Sequence, residues 1–292
     1  MSFYTELDKI MKQDMGHRGL LPSLPSNPVE KTAETLKNTS RVILLTGFPV
    51  RMSDGTFIGE TDGPSGTANL ALALTEAGAN VRVVTDKASF HLLEAALQYR
   101  APKAEILLLP ENDTENFIKT CIQEFQPTHF ISLERPGKAL DGHYHNMRGE
   151  YIDDMITDSE LFLTEAKKAG AVTISIGDGG NEMGMGTFHD EVVAHVPCGD
   201  VICAEEGADI TLASGVSNWW GWGIAALLSL QTGKDLLPTD EQETELLHQV
   251  VLAGGVDGCT KEHSETVDNL SLETNLSVLH AVSDLLKHEQ EK

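Results

Sequence analysis

The 292-residue sequence predicts an α/β fold, with three α/β/α layers around a mostly parallel, doubly wound sheet. A helical N-terminal extension over residues 1–40 and a helix-rich C-terminal third complete the expectation. Two observations carry it. Short apolar runs alternate with segments of helical spacing, and a glycine or polar turn separates each from the next, the pattern of parallel sheets. No repeat, low-complexity tract or linker divides the chain, so residues 1–292 are expected to form one domain.

The elements follow in order. Phe3, Leu7, Ile10 and Met11 share one helical face, which predicts a helix within residues 3–15. A proline-rich connector at 21–28 precedes a short helix near 29–38. Val42-Ile43-Leu44-Leu45, closed by Gly47, reads as a strand buried on both faces. Then come a helix at 65–78, a strand at 81–86, a helix at 88–99, a strand at 106–109, a helix at 114–125 and a strand at 128–133. A helix at 158–169 and a strand at 172–176 follow a long polar loop. Helices near 218–231, 240–253 and 272–290 fill the last third.

Lys+Arg 21 against Asp+Glu 45 leaves a formal charge of −24. Such a surface repels phosphate backbones and anionic lipid, so neither nucleic acid nor membrane is an expected partner. No run of about 18 apolar residues occurs. The acidic N-terminus lacks the apolar stretch of a secretory signal and the character of a mitochondrial leader. Four cysteines without a CxxC pair suit a reduced, cytoplasmic protein. His143 and His145 are the only close histidine pair, so a structural zinc site is not expected.

In a doubly wound sheet, ligands gather at the carboxyl ends of the strands, so the loops there are the ones to read. After the first strand comes Gly59-Glu60-Thr61-Asp62-Gly63-Pro64-Ser65-Gly66-Thr67, running into a helix start whose free N–H groups suit an anion. Asp62, Ser65 and Thr67 are candidates, although each could equally cap the helix. No Gly-Lys-Ser/Thr and no GxGxxG follows a strand, so no nucleotide cofactor is expected. The fourth loop, at roughly twenty residues, far exceeds the usual 2–6 or so. It holds Glu134 at the strand end, with Arg135 and Arg148 as bidentate donors for a carboxylate, or as partners of surface acids. The fifth, Gly177-Asp178-Gly179-Gly180-Asn181-Glu182-Met183-Gly184-Met185-Gly186, is the densest. Oxygen ligands from its Asp178, Asn181 and Glu182 suit a hard divalent ion such as Mg²⁺ or Mn²⁺, against the plainer reading of a turn with solvated acids.

Trp219, Trp220 and Trp222 all sit in one later segment, where core packing or a homodimer interface is expected, and Ser217 or Asn218 would cap the helix there. Val256-Asp257-Gly258 and Thr266-Val267-Asp268 are two further acidic turns, individually weak.

This ordered set resembles the D-glutamate cyclase family: Gly-Phe-Pro at 47–49, Glu-Thr-Asp-Gly-Pro-Ser-Gly-Thr at 60–67, Glu-Arg-Pro-Gly at 134–137, Asn-Met-Arg-Gly at 146–149, the glycine-rich loop at 177–186, Ser-Asn-Trp at 217–219, Val-Asp-Gly at 256–258 and Thr-Val-Asp at 266–268. Asn269, where glycine is expected after Thr-Val-Asp, departs from the pattern. The resemblance implies a hydro-lyase that converts D-glutamate to 5-oxo-D-proline, with manganese the expected metal, in a free-standing microbial version of a domain that ends a longer mitochondrial protein in animals. Set against that reaction, Glu134, Asp178, Asn181 and Glu182 are the candidate metal holders, with Glu134 and Asp178 also in catalysis. Asp62 or Asp257 would move protons, and Ser65, Thr67, Arg135, Arg148 and Asn218 would bind substrate. A metal-dependent phosphohydrolase and a non-catalytic amino-acid or metal-binding protein are the competing readings.

Overall fold

The computed structural model describes residues 2–292. Helix α1 (Phe3–Met11) starts where the Ser2 hydroxyl accepts the Thr5 N–H, and a 3₁₀ turn at Leu21–Ser23 leads to α2 (Val29–Leu36). β1 (Arg41–Thr46) enters the sheet and is followed by a hairpin of β2 (Pro49–Arg51) and β3 (Phe57–Gly59). Next come α3 (Pro64–Glu76), β4 (Asn80–Thr85), α4 (Phe90–Arg100), β5 (Glu105–Leu108), α5 (Thr114–Phe125) and β6 (His129–Leu133). α6 (Leu161–Lys168), β7 (Val172–Gly177), the short α7 (His189–His195) and α8 (Gly199–Ile202), and β8 (Ile210–Ala213) complete the sheet region. The last third holds α9 (Trp219–Thr232), α10 (Asp240–Leu252), the two-residue strands β9 (Thr266–Val267) and β10 (Leu270–Ser271), and α11 (Leu272–Gln290).

The six-stranded sheet is parallel throughout, in the order β5-β4-β1-β6-β7-β8. Period-two alternation explains the unbroken apolar run of β1. Val42 and Leu44 face the helices of one layer, including α3, α4, α9 and α11, while Ile43 and Leu45 face α5 and α6 in the other. Winding reverses between β1 and β6, which opens a crevice at their carboxyl ends. Register then decides which residues meet there. Thr46 pairs with Leu133, and Leu133 with Ile176, so Gly47, Glu134 and Gly177 leave the sheet side by side.

Helix α9 is buried on every side along Trp219–Ser229, which accounts for its lack of a polar face. It crosses α3 at glycine: a Cβ on Gly66 would stand 2.6 Å from Asn218 Cα, and one on Gly221 would strike the Gly66 carbonyl. All three indoles lie in this core and bond internally, Trp219 Nε1 to Asn275 Oδ1, Trp220 Nε1 to the Ala213 carbonyl and Trp222 Nε1 to Glu243 Oε2. The core role expected of them therefore holds. None of the three indoles is exposed on this chain, so the homodimer expectation draws no support from them. Also absent from the sequence reading are β8, the β2–β3 hairpin, α7 and α8. Each is short, and Pro49 disguises the hairpin. Among the described residues, no helix is long and apolar enough to cross a membrane.

The long loop after β6 is tied down at Glu160, whose Oε2 accepts the Lys138 N–H at 3.1 Å while Oε1 is buried without a partner. Burial pushes this carboxyl up to about 7. A carboxyl raised in the folded state binds a proton that the unfolded chain has already released, so it lowers stability as pH climbs from about 4.5 to 7. Glu160→Gln should remove that loss. Thermal melts should show Tm unchanged near pH 4 and raised near pH 8, by the equivalent of about 2–3 kcal/mol. An equal shift at both pH values would contradict the assignment.

Candidate active site

Three carboxylates predicted from three separate loops converge. Asp62, Glu134 and Asp178 are buried, and each offers an oxygen within 4.8 Å of the other two. Glu134 reaches this point by an unusual backbone, φ +45°, a left-handed conformation that costs a side-chain-bearing residue about 1–2 kcal/mol. Strain of this kind persists where a function over-determines the geometry. Asp62 is fixed by a reciprocal cap. Its two oxygens accept the Ser217 and Asn218 N–H groups at the start of α9 at 3.0 and 2.8 Å, while Asn218 Oδ1 accepts the Gly63 and Gly66 N–H groups at the start of α3. Asp62 and Asn218 thus act as caps, the alternative open to residues of this type. Asn218 is consumed by that role and leaves the candidate substrate binders.

A cleft of about 700 Å³ opens over Glu134 and Asp178, and Glu60, Asp268 and Arg18 line it with them, while Asp62 lies buried behind the lining. Arg18 was missed by sequence reading, as were the roles of Glu60 and Asp268. Arg18 stands alone in a Gly-His-Arg-Gly turn with no pattern to flag it. Glu60 and Asp268 lay inside quoted motifs, and the signal was there in their acidity. Glu134 Oε2, Asp178 Oδ2 and Asp268 Oδ2 are buried with no hydrogen-bond partner. Unsatisfied buried oxygens are costly and uncommon, and three around one cleft fit a site built to hold a cation.

The electrostatics agree. Burial, and then Asp268, raise Asp62 to about 8 against the opposing N–H bonds from Asn218 and Ser217. Burial also pushes Glu60 and Glu134 well above the usual carboxylate range, with neighbouring acids adding to it. Asp178 rises for the same first reason, with Arg18 pulling the other way. Burial works against the charge on Arg18, yet the attraction of Asp178, Asp268 and Glu134 raises its pKa. Perturbation of this size clusters at functional sites.

Other expected residues are committed elsewhere. Glu182 lines the cleft, but its carboxylate closes the fifth loop on itself, accepting the N–H groups of Asp178, Gly179 and Gly180 at 2.7–3.0 Å. Four donors hold Asp257, namely the N–H groups of Cys259, Thr260 and Asn269 and the Thr266 hydroxyl, which makes it the organiser of the last two turns, outside the cleft lining. Asn269 departs from the expected glycine without penalty to the turn, since its φ of +62° is one that asparagine tolerates. Arg135 is 0% exposed and bonds Asp86, Ser159 and the carbonyls of Gly47 and Thr157, so no part of it is free for substrate. Ser65 and Thr67 are buried in the first turn of α3, away from the cleft lining. Asn181 lines the cleft with its side-chain amide on the His145 carbonyl, and Arg148 stands on the exposed rim. A second hollow, about 460 Å³ beside β5, is lined by the Arg82–Glu105 ion pair and gathers no comparable set of acids.

Residues 7–283 match the family described as D-glutamate cyclase-like, C-terminal. The chain belongs to that family. The D-glutamate cyclase-like match takes in Arg18, Glu60 and Asp268 as well as the trio. Over 283 residues the chain is 29% identical to human D-glutamate cyclase, mitochondrial, an alignment covering 88% of this chain and 46% of that protein. The chain therefore spans about half the length of the curated relative it matches.

Proposed function

We propose that the protein is a D-glutamate cyclase, closing D-glutamate to 5-oxo-D-proline with loss of water, assisted by a divalent metal. The observation that carries the reading is the meeting of buried Asp62, Glu134 and Asp178, the last two with an unpartnered oxygen each and lining a cleft sized for a small molecule, in a chain of this family.

The donor set fits a hard divalent ion such as Mn²⁺ or Mg²⁺, being all oxygen, with Glu134 and Asp178 each carrying a buried oxygen that no protein donor fills. Asp62, Glu134 and Asp178 would hold it. Such an ion supplies Lewis-acid polarisation of a carboxyl oxygen and stabilises negative charge developing there. The chain's own residues do the rest. In the reaction the α-nitrogen bonds the γ-carbon, one γ-oxygen leaves as water, and the two protons lost by the ammonium balance those the oxygen gains. Asp268, facing the cleft, accepts a proton from the ammonium. Glu60 also faces it, and burial favours its protonated form, the one that can give a proton to the departing oxygen. Arg148 at the rim attracts an entering carboxylate to the cleft.

Purified protein incubated with D- or L-glutamate and assayed for 5-oxoproline by chiral chromatography tests this. Product should form from the D-enantiomer, vanish with EDTA and return with Mn²⁺. Absence of product under every metal condition would refute the proposal.

A further inference from the structure

The acid centre already contains a cation of its own. Arg18 Nη1 pairs with Asp178 Oδ1, and Arg18 Nη2 lies 2.7 Å from Asp268 Oδ1. Asp178 belongs to the trio of converging oxygens, so the guanidinium occupies one edge of the place where an ion would be held. It arrives on the segment between α1 and the 3₁₀ turn, which is clasped to the body of the protein. The Gly215 N–H bonds the Met11 carbonyl at 3.0 Å, and Asn27 exchanges two bonds with the backbone of Ala213. Gly19, at φ +90°, comes so close to the chain that a Cβ there would sit 2.6 Å from the His195 carbonyl. The backbone of this strap is fixed on both sides of Arg18, while the long side chain alone spans the cleft.

We propose that Arg18 is a resident counter-cation of the acid centre, displaced from Asp178 when a divalent ion binds and then turned to the substrate's α-carboxylate. Without some positive charge, Glu60, Asp62, Glu134, Asp178 and Asp268 would face one another across a low-dielectric site, an arrangement that strongly resists ionisation of all of them. An entering ion takes over that neutralisation. The guanidinium, with planar paired donors, is suited to a carboxylate and remains within the same cleft. A dianionic substrate thereby meets a positive group in a chain whose formal charge is −24. The capture half of the proposal rests on the D-glutamate reading, whereas the displacement half does not.

Calorimetric titration of the protein with Mn²⁺ alone separates the two. A competing internal cation leaves only a fraction of molecules competent for the ion, so Arg18→Gln should bind Mn²⁺ about tenfold more tightly than wild type. Arg18→Lys, which keeps the charge, should stay near wild type. Arg51→Gln, which removes a rim cation paired with Asp154, should change nothing. With Mn²⁺ saturating, Arg18→Gln should raise KM for D-glutamate more than it lowers kcat. Should Arg18→Gln not fold, Asp268→Asn compared with Arg18→Gln/Asp268→Asn gives the same contrast, the double variant keeping the wild-type net charge. Equal or weaker Mn²⁺ binding without Arg18 overturns displacement, and an unchanged KM overturns capture. If wild type makes no 5-oxoproline, the cyclase reading fails and the metal titration still decides displacement.

Discussion

Glu134→Gln is expected to lower kcat/KM for D-glutamate at least a hundredfold, roughly 2.7 kcal/mol of lost transition-state stabilisation, while leaving the fold as stable as before or more so. The opposite signs follow from one arrangement. Glu134 is held at φ +45° with an unpartnered oxygen among like charges, an unfavourable placement in the protein without ligand. A neutral amide of the same size relieves the repulsion and deletes the anionic oxygen that would hold an ion. Turnover and a melt in EDTA, run on the same preparation, check both halves. A variant that keeps full activity would take Glu134 out of the site, and one that loses Tm along with activity would make it a structural residue.

The second large effect concerns stability. Arg135→Gln should destabilise the protein by about 4 kcal/mol, because it leaves Asp86 as a buried charge without its partner. For a chain of this length that corresponds to a fall in Tm of roughly 10 °C. Asp86→Asn in the same background should recover part of the loss, since the stranded charge is then gone. Folded Arg135→Gln protein should show a KM for D-glutamate close to wild type. A normal Tm with a sharply raised KM would reinstate Arg135 as a substrate ligand.

Residue type and position along the chain carried the sheet and much of the site. The apolar run at 42–45 and its successors announced the strands; Glu134 and Asp178 were visible because each comes directly after a strand that register brings to the crevice, and Asp62 because it precedes a helix start. What stayed hidden was the competition for each polar group. Arg135 and Arg148 look alike in sequence, yet one is enclosed with Asp86 and the other stands at the rim. Glu182 and Asp257 have the composition of ligands, but backbone N–H groups from their own loops claim them first. Local hydrogen bonding of this kind depends on conformation that spacing does not encode. Arg18 was out of reach for a different reason, since its partners are set by the path of a strap and not by any periodicity.

That path bears on biosynthesis. Arg18 leaves the ribosome well before Asp268, yet the two finish in one ion pair. A nascent or prematurely terminated chain can carry Asp62, Glu134 and Asp178 and still lack the far wall of the pocket. The pocket is therefore closed only after the Asp268 turn has been made, and a chain cut before it holds an open half of the site.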